Sequence, residues 1–231
     1  MDQSALSVLS DRIGYRFSDI TLLQSALTHR SVGSANNERL EFLGDAALNF
    51  VIADELYRRY PDMQEGDLSR LRASLVNGDS LAKIGNELSL GDHVVLGSGE
   101  KRSGGHRRDS ILADCVESII GAVYCDSDFR SCSELILRLY VDRLEDEPDL
   151  QSLKDPKTRL QEMLQSRRHG LPEYEVIAVT GKAHQQSFEV RCTVSSLQIE
   201  TRGNGRSRRR AEQHAATAAI ELIRERTEED V

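Results

Sequence analysis

Glu38, Glu41 and Asp45 stand at i, i+3 and i+7, a spacing that on a helix turns all three carboxylates to one face. Asp114 and Glu117 repeat the i, i+3 step, and Glu65 lies in the turn after Pro61. Like charges so placed destabilise a helix by about 0.2–0.5 kcal/mol per pair, and a carboxylate buried without a partner costs far more. A hard divalent cation offsets both. Mg2+ takes oxygen ligands and is commonly held by a few carboxylates together with substrate phosphate, and Mn2+ can substitute for it. A helical di-iron centre needs Glu-x-x-His pairs, whereas Glu41 is followed at i+3 by Gly44 and Asp114 by Glu117. The plainer alternative is a solvated face, the usual setting of acids at helical spacing. Gly44 points the other way: a glycine inside a helix costs about 1 kcal/mol relative to alanine, and it marks a place where a backbone or ligand comes close.

A basic constellation lies far along the chain. Arg206, Arg208, Arg209 and Arg210 follow Gly203-Asn204-Gly205 at the start of a helical segment, with Ser207 placed to cap it. Free N–H groups and the positive dipole end already make a helix N-terminus an anion site. Added cations there are unfavourable unless an anion is present, although such a cluster can also serve solubility alone. Gln161 and Gln165, one turn apart and opposite an apolar stripe, can hydrogen-bond to groove edges or 2′-hydroxyls. Gly181-Lys182-Ala183-His184 forms a strand-to-strand loop able to reach a second groove. No run of aromatics is available to stack unpaired bases, so duplex RNA read by shape fits better.

Two different scaffolds must carry these groups. Residues 1–145 read as all-α. Apolar-periodic segments cover Ile20–Leu27, Glu38–Tyr60, a helix capped by Asp67 and ending at Gly78, Ser80–Leu88, the stretch around Ile111–Ile120, and Leu135–Leu144. The first helix to bear acids has Leu40, Leu43, Ala47 and Phe50 on its other face, and the glycine- and serine-rich residues 91–108 read as a mobile loop. Residues 146–154 form an acidic linker, 155–225 a small α+β domain of order α-β-β-β-α, and 226–231 an acidic tail. Asp155-Pro156 is a strong helix start, and strands are expected at Tyr174–Val179, at Phe188–Val194 and through Leu197, Ile199 and Thr201. Ala211, His214, Ala215, Ala218, Ala219 and Leu222 share a small-residue helix face that can lie close on a sheet. On that face His214 reads as packed.

Charge divides along the same line. The chain of 231 residues carries a net −8, yet residues 151–231 hold 14 Lys+Arg against 12 Asp+Glu, and 25 of the 30 basic residues are arginine, whose planar fork matches phosphate. No apolar run approaches the roughly 20 residues of a membrane span, and the start lacks a signal peptide; a cytoplasmic location is expected, with no membrane partner. Cys115, Cys125, Cys132 and Cys192 lack paired C-x-x-C spacing, so they are expected reduced and mostly packed. The histidines show no ligand spacing, no Ser-His-Asp or Cys-His arrangement has local support, and no glycine-rich nucleotide loop or other small-molecule cofactor signature appears.

Asn37-Glu38-Arg39-Leu40-Glu41-Phe42-Leu43-Gly44-Asp45 resembles the signature of the ribonuclease III family, and Asp109–Glu117, reading DSILADCVE, resembles its second acidic motif. Ala26-Leu27-Thr28-His29-Arg30-Ser31 is similar to a further family segment, and residues 155–224 resemble a double-stranded RNA-binding domain. The resemblance implies a homodimeric, Mg2+-dependent endoribonuclease that cuts duplex RNA, leaves 5′-phosphate and 3′-hydroxyl ends, and serves in ribosomal RNA precursor and messenger RNA processing. It implies that Glu41, Asp45, Asp114 and Glu117 are the metal-binding acids, with Asp45 and Glu117 catalytic, and that Glu38 and Glu65 support them. Gln161, Gln165, His184, Arg208 and Arg209 match the RNA contacts of the binding domain. One or two ions per site are both compatible with four carboxylates.

Overall fold

The computed structural model describes residues 3–146, 148–149, 153–182 and 186–229. The chain separates into two compact units, Met1–Pro148 and Asp149–Val231.

The first unit is helical: α1 Gln3–Ile13, α2 Ile20–Ala26, α3 Glu38–Arg59, α4 Glu65–Val76, α5 Gly78–Glu87, α6 Ser98–Arg102, α7 Asp109–Asp126, α8 Phe129–Leu139 and α9 Val141–Glu145. Its centre is α7, buried along most of its length from Ile111 to Val123, as expected of a helix apolar all round. The helices α2, α3, α5 and α8 pack around it. The closest approach is glycine to backbone. A Cβ on Gly44 of α3 would overlap the carbonyl oxygen of Glu117 in α7, and one on Gly121 would overlap the carbonyl oxygen of Leu40. The helix-breaking residue noticed in the sequence is thus explained by a neighbouring backbone.

Several local expectations need correction. Helix α1, with Leu6, Leu9 and Ile13 buried, precedes the first expected helix. Gln64, not Asp67, stands at the N-cap of α4, and Asp67 pairs with Arg70 at 2.8 Å. Gly78 does not end that helix but opens α5, whose cap is the Asn77 side chain accepting from Ser80 N. The expected Leu135–Leu144 helix breaks at Tyr140 into α8 and α9. Residues 91–108, expected as a mobile loop, contain α6 and a second turn of 3-10 helix at Gly105–Arg107. This segment is tied down by Val95 N donating to Leu27 O at 2.8 Å, His29 N donating to Val95 O at 3.0 Å and Gly97 N donating to Ser31 Oγ at 2.8 Å.

The second unit follows the expected order: α10 Pro156–Ser166, β1 Glu173–Thr180, β2 Ser187–Val194, β3 Ile199–Gly205 and α11 Arg208–Glu229. Asp155 caps α10 by accepting from Lys157 N at 2.9 Å, with Pro156 in the first turn. The antiparallel sheet has order β1-β2-β3, and Leu197 sits in a 3-10 turn rather than in the third strand. Leu160 and Leu164 of α10 pack with Cys192, Val194 and Ile199 of the sheet and with Ala215, Ala216, Ala219, Ile220 and Ile223 of α11. The small-residue face lets α11 lie close on β3, where a Cβ on Gly203 would overlap backbone atoms of Ala211 and Ala215. That face is turned further toward Ala216, Ile220 and Ile223 than the sequence pattern implied. Consequently His214 is exposed, not packed, its Nδ1 2.6 Å from Asn204 O. Among the described residues no helix is long and apolar enough to cross a membrane.

Candidate active site

The crossing of α3 and α7 brings acids from both sequence motifs together. Glu41, Asp114 and Glu117 each offer a carboxylate oxygen, and these oxygens lie within 4.8 Å of one another, all three side chains being half-buried. Their surroundings penalise charge. Burial is the main cause in each case: it raises Glu117 to about 8, with the charges of Asp45, Glu41 and Asp114 adding to the rise. Glu41 and Asp114 are raised too, again by burial first; Asp114 and Glu38 push Glu41 up further, while His29 and Arg30 pull Asp114 down. Three acids that resist ionisation together, with all-oxygen donors at this spacing, suit a hard divalent cation in size, charge and ligand type.

Asp45 stands apart from the trio. It is exposed, and its Oδ1 accepts from Asn49 Nδ2 at 2.8 Å. Glu38 lies at the mouth, 3.7 Å from Arg30 and bonded by Asn36. Glu65 is exposed at the start of α4 and accepts from Ser69 Oγ at 2.8 Å; it is not among the clustered acids.

A buried polar junction, unnoticed in the sequence, fixes the two helices beside the acids. Asn37 donates through its backbone N–H to Thr28 O at 2.9 Å and through Nδ2 to Ala26 O at 3.4 Å. Its own carbonyl accepts from the buried Ser118 hydroxyl at 3.3 Å. Glu38 and Glu117 are the chain neighbours of this pair. His29, also buried, has Nδ1 2.9 Å from Ser31 Oγ. The signal available was two amide- and hydroxyl-bearing residues flanking the acids, which spacing alone cannot pair.

Helix α3 also presents Phe42, Phe50 and Tyr57 to solvent, 79%, 62% and 73% exposed, with Phe129 of α8 5.7 Å from the Phe50 ring. Phe50 therefore does not line the interior as expected. Phe42, the chain neighbour of Glu41, is likewise left in solvent, and clustered exposed apolar side chains mark interaction surfaces.

In the second unit Gln161 and Gln165 are exposed on α10, and Arg208 and Arg209 are exposed at the start of α11. The Ser207 hydroxyl accepts from Arg210 N at 3.3 Å, as a cap should. Gly181, at φ +91°, begins the loop between β1 and β2; His184 lies outside the described residues.

An acid-bearing helical domain joined to a basic α-β-β-β-α domain is the architecture of a two-domain RNA-directed nuclease. The sequence matches the Ribonuclease-III-like family over residues 19–144 and the Double-stranded RNA binding motif over residues 156–223. It is 56% identical over 220 residues to Ribonuclease 3 of Nitrosococcus oceani, covering 94% of each chain, and 55% identical over 218 residues to Ribonuclease 3 of Vibrio cholerae, covering 94% of this chain and 97% of that one. Among solved structures, the nuclease domain of ribonuclease III from Campylobacter jejuni superposes with a TM-score of 0.60 at 42% identity, covering 64% of this chain and all of that domain. The chain belongs to the ribonuclease III family.

Proposed function

We propose that this chain is a Mg2+-dependent endoribonuclease that hydrolyses double-stranded RNA to 5′-phosphate and 3′-hydroxyl ends, with Mn2+ able to replace Mg2+. The observation that carries this reading is the convergence of Glu41, Asp114 and Glu117 oxygens within 4.8 Å at the crossing of α3 and α7. Those three carboxylates would hold the cation, and Asp45, whose charge reaches Glu117, would join them as the fourth acid. A divalent cation at such a cluster supplies Lewis-acid chemistry, activating water and neutralising charge on the departing 3′-oxygen. Burial and the neighbouring acids favour the protonated form of Glu117, and a bound cation would favour its ionised form instead. Glu38 and Glu65 would act as supporting acids.

The second domain would supply affinity through phosphate and 2′-hydroxyl contacts from Gln161, Gln165, His184, Arg208 and Arg209, so that binding weakens steeply with salt. Residues 146–154 serve as the linker between nuclease domain 1–145 and binding domain 155–225. The exposed Phe42, Phe50 and Tyr57 suit an interface with a second copy, and a dimer would set two centres across one duplex. A solved Campylobacter jejuni nuclease domain is described by flexibility in a region involved in dimer formation. Four free cysteines suit a reducing cytoplasm, where ribosomal RNA precursors and some messenger RNAs would be the substrates.

The test is a uniform RNA duplex incubated with and without Mg2+, with both product termini mapped. Cleavage to 5′-phosphate ends only when Mg2+ is present is the expected result. An intact duplex in Mg2+ would leave a binding protein and no nuclease.

A further inference from the structure

The start of α11 poses an electrostatic problem: arginines at 206, 208, 209 and 210 crowd the positive end of a helix dipole. Two carboxylates answer it. Glu212 Oε1 accepts from Arg208 Nε at 2.8 Å, and Glu212 Oε2 accepts from Lys157 Nζ, on α10, at 2.5 Å. Asp155, the cap of α10, accepts from Gln213 Nε2 of α11 at 2.7 Å and lies 3.6 Å from Arg209. The two helix starts are therefore tied in both directions, by an acid of each on a partner of the other. Lys157 is held further by the Tyr174 ring, whose centroid is 4.4 Å from Nζ.

Burial is uneven within this chain of contacts. The Glu212 side chain is 10% exposed and the Arg208 side chain 65%. Although burial alone would raise Glu212, its hydrogen bonds from Lys157 and Arg208 outweigh that and hold it below its ordinary value. A fixed, ionised oxygen thus grips Arg208 by Nε. Glu212 takes Nε from its buried side while the Arg208 side chain stays 65% exposed, and the Nη groups are the donors that can pair bidentately with a phosphate.

We propose that Glu212 is a positioning residue for duplex RNA: braced by Lys157, its buried carboxylate orients Arg208 so that the outer guanidinium edge meets a phosphate. The proposal rests on the reading that Arg208 contacts RNA. Its distinguishing feature is sign. An acid near a phosphate-binding surface repels RNA, so deleting it should tighten binding; deleting a positioning acid loosens binding despite the gain in positive charge.

The experiment measures the Kd of the full chain, made cleavage-deficient by Glu117→Gln, for a duplex of about 20 base pairs spanning one binding-domain footprint. Fluorescence anisotropy is read over a range of salt for Glu212→Ala, Glu212→Gln, Arg208→Ala and the Glu212→Ala/Arg208→Ala pair. Glu212→Ala should weaken binding about 3–10-fold, lower the salt slope by up to about one phosphate contact, and add nothing once Arg208 is gone. Glu212→Gln keeps the shape of the side chain and should weaken binding to a lesser degree, and it takes over the test if thermal melting shows that the alanine variant has not folded. Unchanged or tighter binding by a folded Glu212 variant, beside a weakened Arg208→Ala, overturns this proposal alone. So does an equal loss with and without Arg208. An unchanged Kd for Arg208→Ala overturns both the RNA-contact reading and the proposal built on it.

Discussion

Gly44 of α3 lies so close to Glu117 of α7 that a single added carbon on the glycine would overlap the Glu117 carbonyl oxygen. The residue that lets the helices approach therefore touches the backbone of a residue whose side chain completes the acid cluster. The approach of the two helices at this crossing bears on how far the Glu41 carboxylate lies from those of Asp114 and Glu117. Gly44→Ala should separate the helices, destabilise the chain by about 1–3 kcal/mol as overpacked sites do, and reduce Mg2+-dependent cleavage about a hundredfold or more. Thermal melting beside initial cleavage rates checks this; full activity in the variant would mean the crossing does not set the site.

Glu117 links the site to stability. With its carboxyl raised to about 8 from an ordinary 4.5, the folded chain holds a proton between those values that the unfolded chain has released. Stability contributed by this group is therefore lost as pH rises through that window. Glu117→Gln should remove the penalty and raise the ion-free Tm at pH 8 by a few degrees, leave it little changed near pH 4.5, and abolish cleavage while RNA binding persists. Differential scanning fluorimetry across pH reads the first part, a gel-shift the last.

Cation binding competes with that same proton. Millimolar Mg2+ should raise Tm clearly at pH 8 and by much less at pH 5.5, following mass action on the folded state. Equal shifts at both pH values would argue that the ion binds somewhere other than the Glu41, Asp114 and Glu117 cluster.

Asp126 works with the opposite sign. Burial alone would raise it, but hydrogen bonds from Asp19 N, Ser18 N and the Tyr15 hydroxyl, each at 2.8 Å, outweigh that and hold its carboxyl below the ordinary value. Its contribution is present at neutral pH and disappears as pH falls through the depressed value. Asp126→Asn should lower Tm by several degrees at pH 7 and by progressively less as pH falls below the ordinary carboxylate range, with cleavage retained below the melting range; circular dichroism melts across acid pH decide it.

Phe42 is 79% exposed within an otherwise ordered helix. If a second copy covers it, Phe42→Glu should shift sedimentation velocity from dimer to monomer without changing the Tm of the monomer fold by more than about 0.5 kcal/mol in equivalent stability. An unaltered sedimentation coefficient would remove Phe42 from the interface.

Much of this was readable from residue order because helix periodicity is local. Glu38, Glu41 and Asp45 had to share a face wherever that helix packed, Asp155-Pro156 had to begin a helix, and the alternation of Phe188, Val190, Cys192 and Val194 had to give a strand. Gly44 announced a close neighbour. Chain breaks were harder, because a cap or a split such as that at Tyr140 depends on which partner satisfies the loose backbone groups. Three outcomes required the folded chain. The first is that Glu41 meets Asp114 and Glu117 while Asp45 turns to Asn49, since this depends on where two helices cross. The second is that Asn37 and Ser118, 81 positions apart, share a hydrogen bond. The third is that Glu212 and Lys157 clasp each other beneath Arg208. Sequence fixes which groups an element carries and on which side, because bond geometry and helical pitch act over a few residues. Distances between elements follow from packing the whole core, and chemistry at a metal or a phosphate is decided at that scale.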